Sequence, residues 1–132
     1  LDIYKSDLIE LGVGDDAARI ITGNGKMLLT IDGFRALVSD PYLFGRITAH
    51  HSLNDIFAMG ATPKIALCLA TVPYMAEKLM EEDLYQLLSG INDVLSEHGV
   101  SLVGGHTAEG METSLGLMVT GIENGLSKEY GR

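Results

Sequence analysis

A chain of 132 residues, 46% of them hydrophobic, has the length of one domain and enough apolar material to bury a core. Its formal net charge of −9 would repel a phosphate backbone, and no uninterrupted apolar run is long enough to cross a bilayer, which excludes a general nucleic-acid binder and a membrane-spanning helix. The single cysteine, Cys68, precludes an internal disulfide; with no signal peptide in view, the chain fits the cytoplasm.

The first ten residues are mixed in character and read as a lead-in or the end of a helix. Residues 17–22 and 26–31 are two short apolar runs joined by Gly23-Asn24-Gly25, residues that tolerate positive φ, and the spacing predicts a β-hairpin. Asp40 followed by Pro41 is a cap residue with proline at the first helical position, so a helix is expected over about 41–59 with Gly60 as its stop. Leu53, Ile56, Phe57 and Gly60 recur at the spacing of a buried face, joined by Phe44 and Ile47, while Thr48, His51 and Asp55 line a second face. Residues 64–72 are almost uniformly apolar and predict a central strand covered on both sides, ended by Pro73.

A long amphipathic helix follows, with Leu84, Leu87, Leu88, Ile91, Val94 and Leu95 on one face and Gly99 as the stop after His98. Gly90 inside it weakens helix propensity locally. Residues 100–104 and 114–122 read as two more strands, giving the order β-β-α-β-α-β-β.

Three aspartates carry the chemistry of interest. Asp16 lies in the run Gly12-Val13-Gly14-Asp15-Asp16-Ala17-Ala18, Asp32 ends the apolar run from Met27, and Asp55 interrupts a helix face that is otherwise apolar. Magnesium takes hard oxygen ligands and keeps several waters, so carboxylates from separate segments together with phosphate oxygens suit it. Each aspartate alone also has a structural reading: an Asx-turn or cap for Asp15-Asp16, and a turn before Gly33 for Asp32. Asp55 lies near a buried surface, where an unpaired charge is costly. Gly104-Gly105-His106-Thr107 follows an apolar strand; paired glycines there let backbone N–H groups approach a phosphate, and equally suit a bulge or bend. His50 and His51 face apart on a helix and His98 suits a helix C-terminus, so the histidines lack zinc-ligand spacing. Cys68 reads as an inert buried thiol, the six methionines as core filling, and Glu77, Glu81, Glu82 and Asp83 as a solvated first turn.

Taken together, these segments resemble selenophosphate synthetase (selenide, water dikinase). The resemblance rests on Ser39-Asp40-Pro41-Tyr42-Leu43-Phe44-Gly45-Arg46-Ile47, continued by Leu53-Asn54-Asp55-Ile56-Phe57-Ala58-Met59-Gly60. It also rests on Gly14-Asp15-Asp16-Ala17-Ala18, Thr30-Ile31-Asp32-Gly33-Phe34 and Val103-Gly104-Gly105-His106-Thr107. The form most similar is the bacterial one fused to a pyridine-nucleotide or flavin oxidoreductase. The wider superfamily includes aminoimidazole ribonucleotide synthetase, thiamine-monophosphate kinase and a hydrogenase-maturation protein.

The resemblance implies an α+β fold: a mostly antiparallel sheet of four or more strands with helices on one face, two such sheets meeting in a barrel-like homodimer with ATP near the interface. It implies Asp16 and Asp55 as magnesium ligands, with Asp32 at both the metal and the ATP. Gly14, Asp15, Asp55, Gly104, Gly105, His106 and Thr107 would adjoin the nucleotide. His51, Thr48 and Ile31 depart from the residues the family usually carries there. The implied activity transfers phosphoryl groups from ATP to selenide. The alternatives are another ATP-using member of the superfamily and a non-catalytic dimerisation or nucleotide-binding module. No catalytic nucleophile is expected within the chain. The family's glycine-rich segment, with its reactive cysteine or selenocysteine and its lysine, would precede Leu1, and a C-terminal domain would follow Arg132. The chain is therefore expected to be a single N-terminal domain over 1–132, inactive on its own.

Overall fold

A computed structural model describes residues 2–12, 17–23 and 25–123. The element order is β1 (Ile9–Leu11), β2 (Ala18–Thr22), β3 (Gly25–Arg35), α1 (Pro41–Ala58), β4 (Ala61–Pro73), α2 (Glu77–Glu97), β5 (Ser101–Gly110) and β6 (Ser114–Glu123). Among the described residues the strands form a six-stranded sheet ordered β1-β2-β3-β6-β4-β5. Pairing is antiparallel throughout except between β4 and β5, which α2 connects as a parallel crossover.

Local sequence explains most of these elements. The expected hairpin is β2 with β3, in register Ile20↔Met27 and Thr22↔Gly25. It is tied to β1 and β6 by charge: Lys26 Nζ lies 2.6 Å from Glu10 Oε2, and Arg19 Nε 2.7 Å from Glu123 Oε2. The Arg19 Nε–H is not aimed along that contact, so this pair is an ion pair rather than a directed hydrogen bond. Helix α1 starts as predicted, the Asp40 carboxylate accepting from the Tyr42 and Leu43 N–H groups. It stops at Gly60, whose φ is 75°.

Four expectations need correction. The lead-in contains a short strand, β1, whose three residues show no alternation to read. Asp32 does not end its strand: β3 runs on to Arg35, with Asp32 opposite Leu117, because pairing to β6 outweighs the local turn signal of Asp32-Gly33. Strand β5 continues through Gly104-Gly105-His106-Thr107 to Gly110, held by the ladder to β4. Strand β4 is central in the sheet, yet among the described residues its cover lies on one face only. Ala66, Cys68, Ala70 and Val72 are buried under the helices, whereas Ile65, Leu67 and Leu69 are exposed on the other side.

The core lies between the two helices and that inner face. Phe44, Ala49, Leu53 and Ile56 of α1 and Leu87, Ile91, Val94 and Leu95 of α2 meet Leu28, Leu115, Leu117 and Val119 of the sheet. The opposite sheet face carries Ile31, 75% exposed, with Ile65, Leu67, Leu69, Val103 and Ile122. No helix among the described residues is long and apolar enough to cross a membrane.

Candidate nucleotide and metal site

Strand alternation puts Asp32 on the helix-covered face with Leu28 and Thr30, and it is partly buried there. Asp55, also partly buried, lies on α1 one turn beyond His51. Two contacts bracket the pair. The His51 ring packs on Phe34 with centroids 5.3 Å apart, and the Ile56 side chain packs against Gly121, the strand partner of Leu28. Asp32 lies between Phe34 and Leu28 on the strand and Asp55 between His51 and Ile56 on the helix, so both residues belong to the layer between α1 and β3.

Helix α1 buries two further oxygens. Thr48 Oγ1 and Ser52 Oγ, in side chains 1% and 0% exposed, have no hydrogen-bond partner among the described residues. A buried hydroxyl without a partner costs about 1–3 kcal/mol, so these acceptors favour a nearby water. Carboxylate and hydroxyl oxygens fit the ligand chemistry of magnesium. Among the described residues no group of three His, Cys, Asp or Glu side chains could hold a metal ion. The third expected ligand, Asp16, lies outside the described residues, as do Gly14 and Asp15.

The second expected segment is elsewhere on the sheet. Strand β5 is three strand positions from β3, about 14 Å across the sheet. Its side chains split between the faces. Gly105 and Thr107 pair with the inward Cys68 and Ala70, whereas Gly104 and His106 pair with the outward Leu67 and Leu69. Gly105 has a φ of 153°, and a Cβ built on it would lie 1.8 Å from the Cys68 carbonyl oxygen. Its lack of a side chain is therefore required by the close approach of β4. At Gly104 a Cβ would make only an ordinary 3.5 Å contact with Leu67.

The histidines and Cys68 take structural places. His98 Nδ1–H donates to the Val94 carbonyl at 3.0 Å, and its ring meets His50 and Phe57 with centroids at 6.3 and 5.6 Å. The two adjacent histidines thus face different neighbours, as expected. Burial pushes the Cys68 thiol up from 9.0 to about 11, which keeps it protonated and unreactive near neutrality.

Residues 14–123 match the family described as AIR synthase related protein, N-terminal domain. The chain belongs to that family. It is 43% identical over 124 residues to a selenide, water dikinase of Nitratidesulfovibrio vulgaris (strain DP4), covering 92% of this chain and 35% of that protein. It is likewise 43% identical over 126 residues to a selenide, water dikinase of Geobacter sp. (strain M21), covering 92% and 36%. The chain thus spans about a third of the length of these curated relatives.

Among solved structures, tt0281 from Thermus thermophilus superposes with a TM-score of 0.77 at 26% identity, covering 86% of this chain and 38% of that one. AaThiL complexed with AMPPCP and TMP superposes with a TM-score of 0.70 at 24% identity, covering 88% and 37%. These neighbours establish the fold expected from sequence, corrected to a six-stranded mixed sheet with both helices on one face.

Proposed function

We propose that the parent protein is a selenide, water dikinase, converting selenide, ATP and water to selenophosphate, AMP and orthophosphate, and that this chain is its N-terminal nucleotide-binding domain. The observation that carries this reading is the 43% identity sustained over 92% of the chain to selenide, water dikinases. The likeness to the thiamine-monophosphate kinase of Stenotrophomonas maltophilia is weaker, at 28% identity. Turnover of magnesium-ATP with thiamine monophosphate in place of selenide is the assay that would favour that second reading.

In this reading Asp32 and Asp55 offer carboxylate oxygens to a magnesium ion, with Asp16 as the third donor. Bound magnesium would neutralise charge along the polyphosphate. The rest falls to the chain's own groups. Gly104 leaves its backbone open to a phosphate on the outward sheet face, where His106 supplies a polar side chain, whereas Thr107 lies on the opposite face. The carboxylates hold an orientation set by helix and strand rather than by a loop. The nucleophile and the C-terminal domain belong to the remainder of the parent protein, so this chain alone turns over no ATP.

The open sheet face supports a homodimer within the same reading. Ile31, Leu67, Leu69 and Val103 form an apolar surface that a second copy would bury, with ATP near the interface. Calorimetric titration of magnesium-ATP into wild type and Asp55→Asn tests the site. Loss of affinity in the variant is expected, and equal affinity refutes the ligand role. Sedimentation of Leu67→Glu tests the interface; a variant that stays as associated as wild type refutes it.

A further inference from the structure

A cleft of about 420 Å³ opens at the far corner of the sheet, away from the Asp32 and Asp55 layer. Its volume is that of a small-molecule site. The floor is apolar: buried Val72 at the end of β4, with Met80 and Leu84 from the first turns of α2. Met75 adds an adaptable wall, and the largely exposed Tyr74 ring stands at the mouth.

The charges around this floor have one sign. Glu77 and Glu81 are one turn apart on α2, and Glu109 reaches the cleft from β5 on the other side. Among the described residues no lysine or arginine lines it. Glu77 is accounted for in part by the helix start, whose dipole favours a carboxylate. Glu81 lies a turn further on, and Glu109 belongs to a strand, so the dipole explains neither. Half a positive charge at the helix start is outweighed by three carboxylates bordering one apolar slot.

We propose that this cleft binds an aliphatic di- or polyamine, its methylene chain on Val72, Met80 and Leu84 and its ammonium groups on Glu81 and Glu109. Glu81 and Glu109 come from opposite sides of the cleft, so an amine lying along its floor can present one ammonium group to each. A methylene chain suits the floor in a way a hydrated metal ion does not. The Tyr74 ring at the mouth can face an ammonium group.

The test is calorimetric titration of spermidine into the full-length parent protein without nucleotide, so that amine bound to ATP cannot contribute. Magnesium chloride and an aliphatic diol of matching length serve as comparison probes. Saturable spermidine binding is expected, about tenfold weaker in the double variant Glu81→Gln, Glu109→Gln, with the diol and magnesium failing to compete. Both substituted side chains are exposed, and circular dichroism confirms that the variant is folded. Absence of binding, which includes occlusion of the cleft by the rest of the protein, overturns the proposal. So does equal affinity in the double variant, or displacement by magnesium.

Discussion

Gly45 and Gly90 interlock at the crossing of α1 and α2. A Cβ on Gly45 would lie 2.3 Å from the Leu87 carbonyl oxygen, and one on Gly90 2.1 Å from the Tyr42 carbonyl oxygen. Each glycine makes room for the backbone of the other helix, so the two axes approach more closely than any side chain at these positions would permit.

Gly90→Ala is therefore expected to destabilise the protein. In an exposed helix the change would gain about 1 kcal/mol of propensity. Here the new methyl meets backbone, and overpacking of about 1–3 kcal/mol or more exceeds that gain. Urea denaturation should show a lowered midpoint for Gly90→Ala and for Gly45→Ala alike. A midpoint at or above wild type for either variant would show that the helices can separate without cost.

Gly104→Ala and Gly105→Ala should behave oppositely although the residues are adjacent. The Gly105 variant drives a methyl into the β4 backbone and should lose the β4–β5 ladder, seen as a fall in thermal midpoint and in strand signal by circular dichroism. The Gly104 variant has space and should keep its fold. If it also loses affinity for ATP, the role of Gly104 is close approach to the nucleotide; unchanged affinity would remove Gly104 from the proposed site.

The alkaline limb of stability should contain a contribution from Cys68. Its folded pKa, about 11, exceeds the ordinary 9.0 because burial disfavours the thiolate. The stability linked to the neutral thiol is complete below pH 9 and is lost as pH rises from 9 toward 11, since the unfolded chain ionises first. Cys68→Ala should flatten that part of the profile. In the native protein at pH 8, Cys68 should resist a thiol reagent that labels it in urea; rapid native labelling would contradict the burial argument.

Tyr42 provides a second alkaline contribution from the helix crossing. Its hydroxyl donates to Asp93 Oδ2, while Arg46 lies 6.0 Å from the ring centroid and 3.6 Å from Glu97. The Asp93 hydrogen bond is the largest reason the phenol lies above its ordinary 10.0; Arg46 offsets part of it. The contribution is present below pH 10 and disappears as the pH rises through the raised value. Tyr42→Phe should lose stability at pH 8 and show a shallower decline above pH 10 than wild type. Parallel profiles would mean the hydrogen bond contributes nothing.

The sequence revealed those parts of the molecule that local chemistry controls. Asp40-Pro41 marked the start of α1, and Gly23-Asn24-Gly25 marked the turn between β2 and β3, since caps and turns are decided by neighbours in the chain. Asp32 was misread as a strand end, because its place opposite Leu117 depends on a strand more than eighty residues away. Gly90 read as a flaw in a helix; only the path of α1 over it explains the residue. The uniform apolar run of β4 concealed an alternation of size rather than polarity, which no hydrophobic period can display. The assignment of Asp32 and Asp55 to one site comes from the resemblance alone, while the split of Gly104–Thr107 between two sheet faces needed the strand register.

That alternation of size has a practical consequence. β4 turns Ala66, Cys68 and Ala70 toward the helices and Ile65, Leu67 and Leu69 away from them. Small inward residues let the helices settle low on the sheet, and the bulk is displaced outward. This chain on its own carries its stickiest wall on the outside, whatever its thermodynamic stability. Handling it in isolation calls for detergent, a solubilising fusion, or polar replacements along a single row of that strand, since alternate positions can be altered there without disturbing the packing beneath.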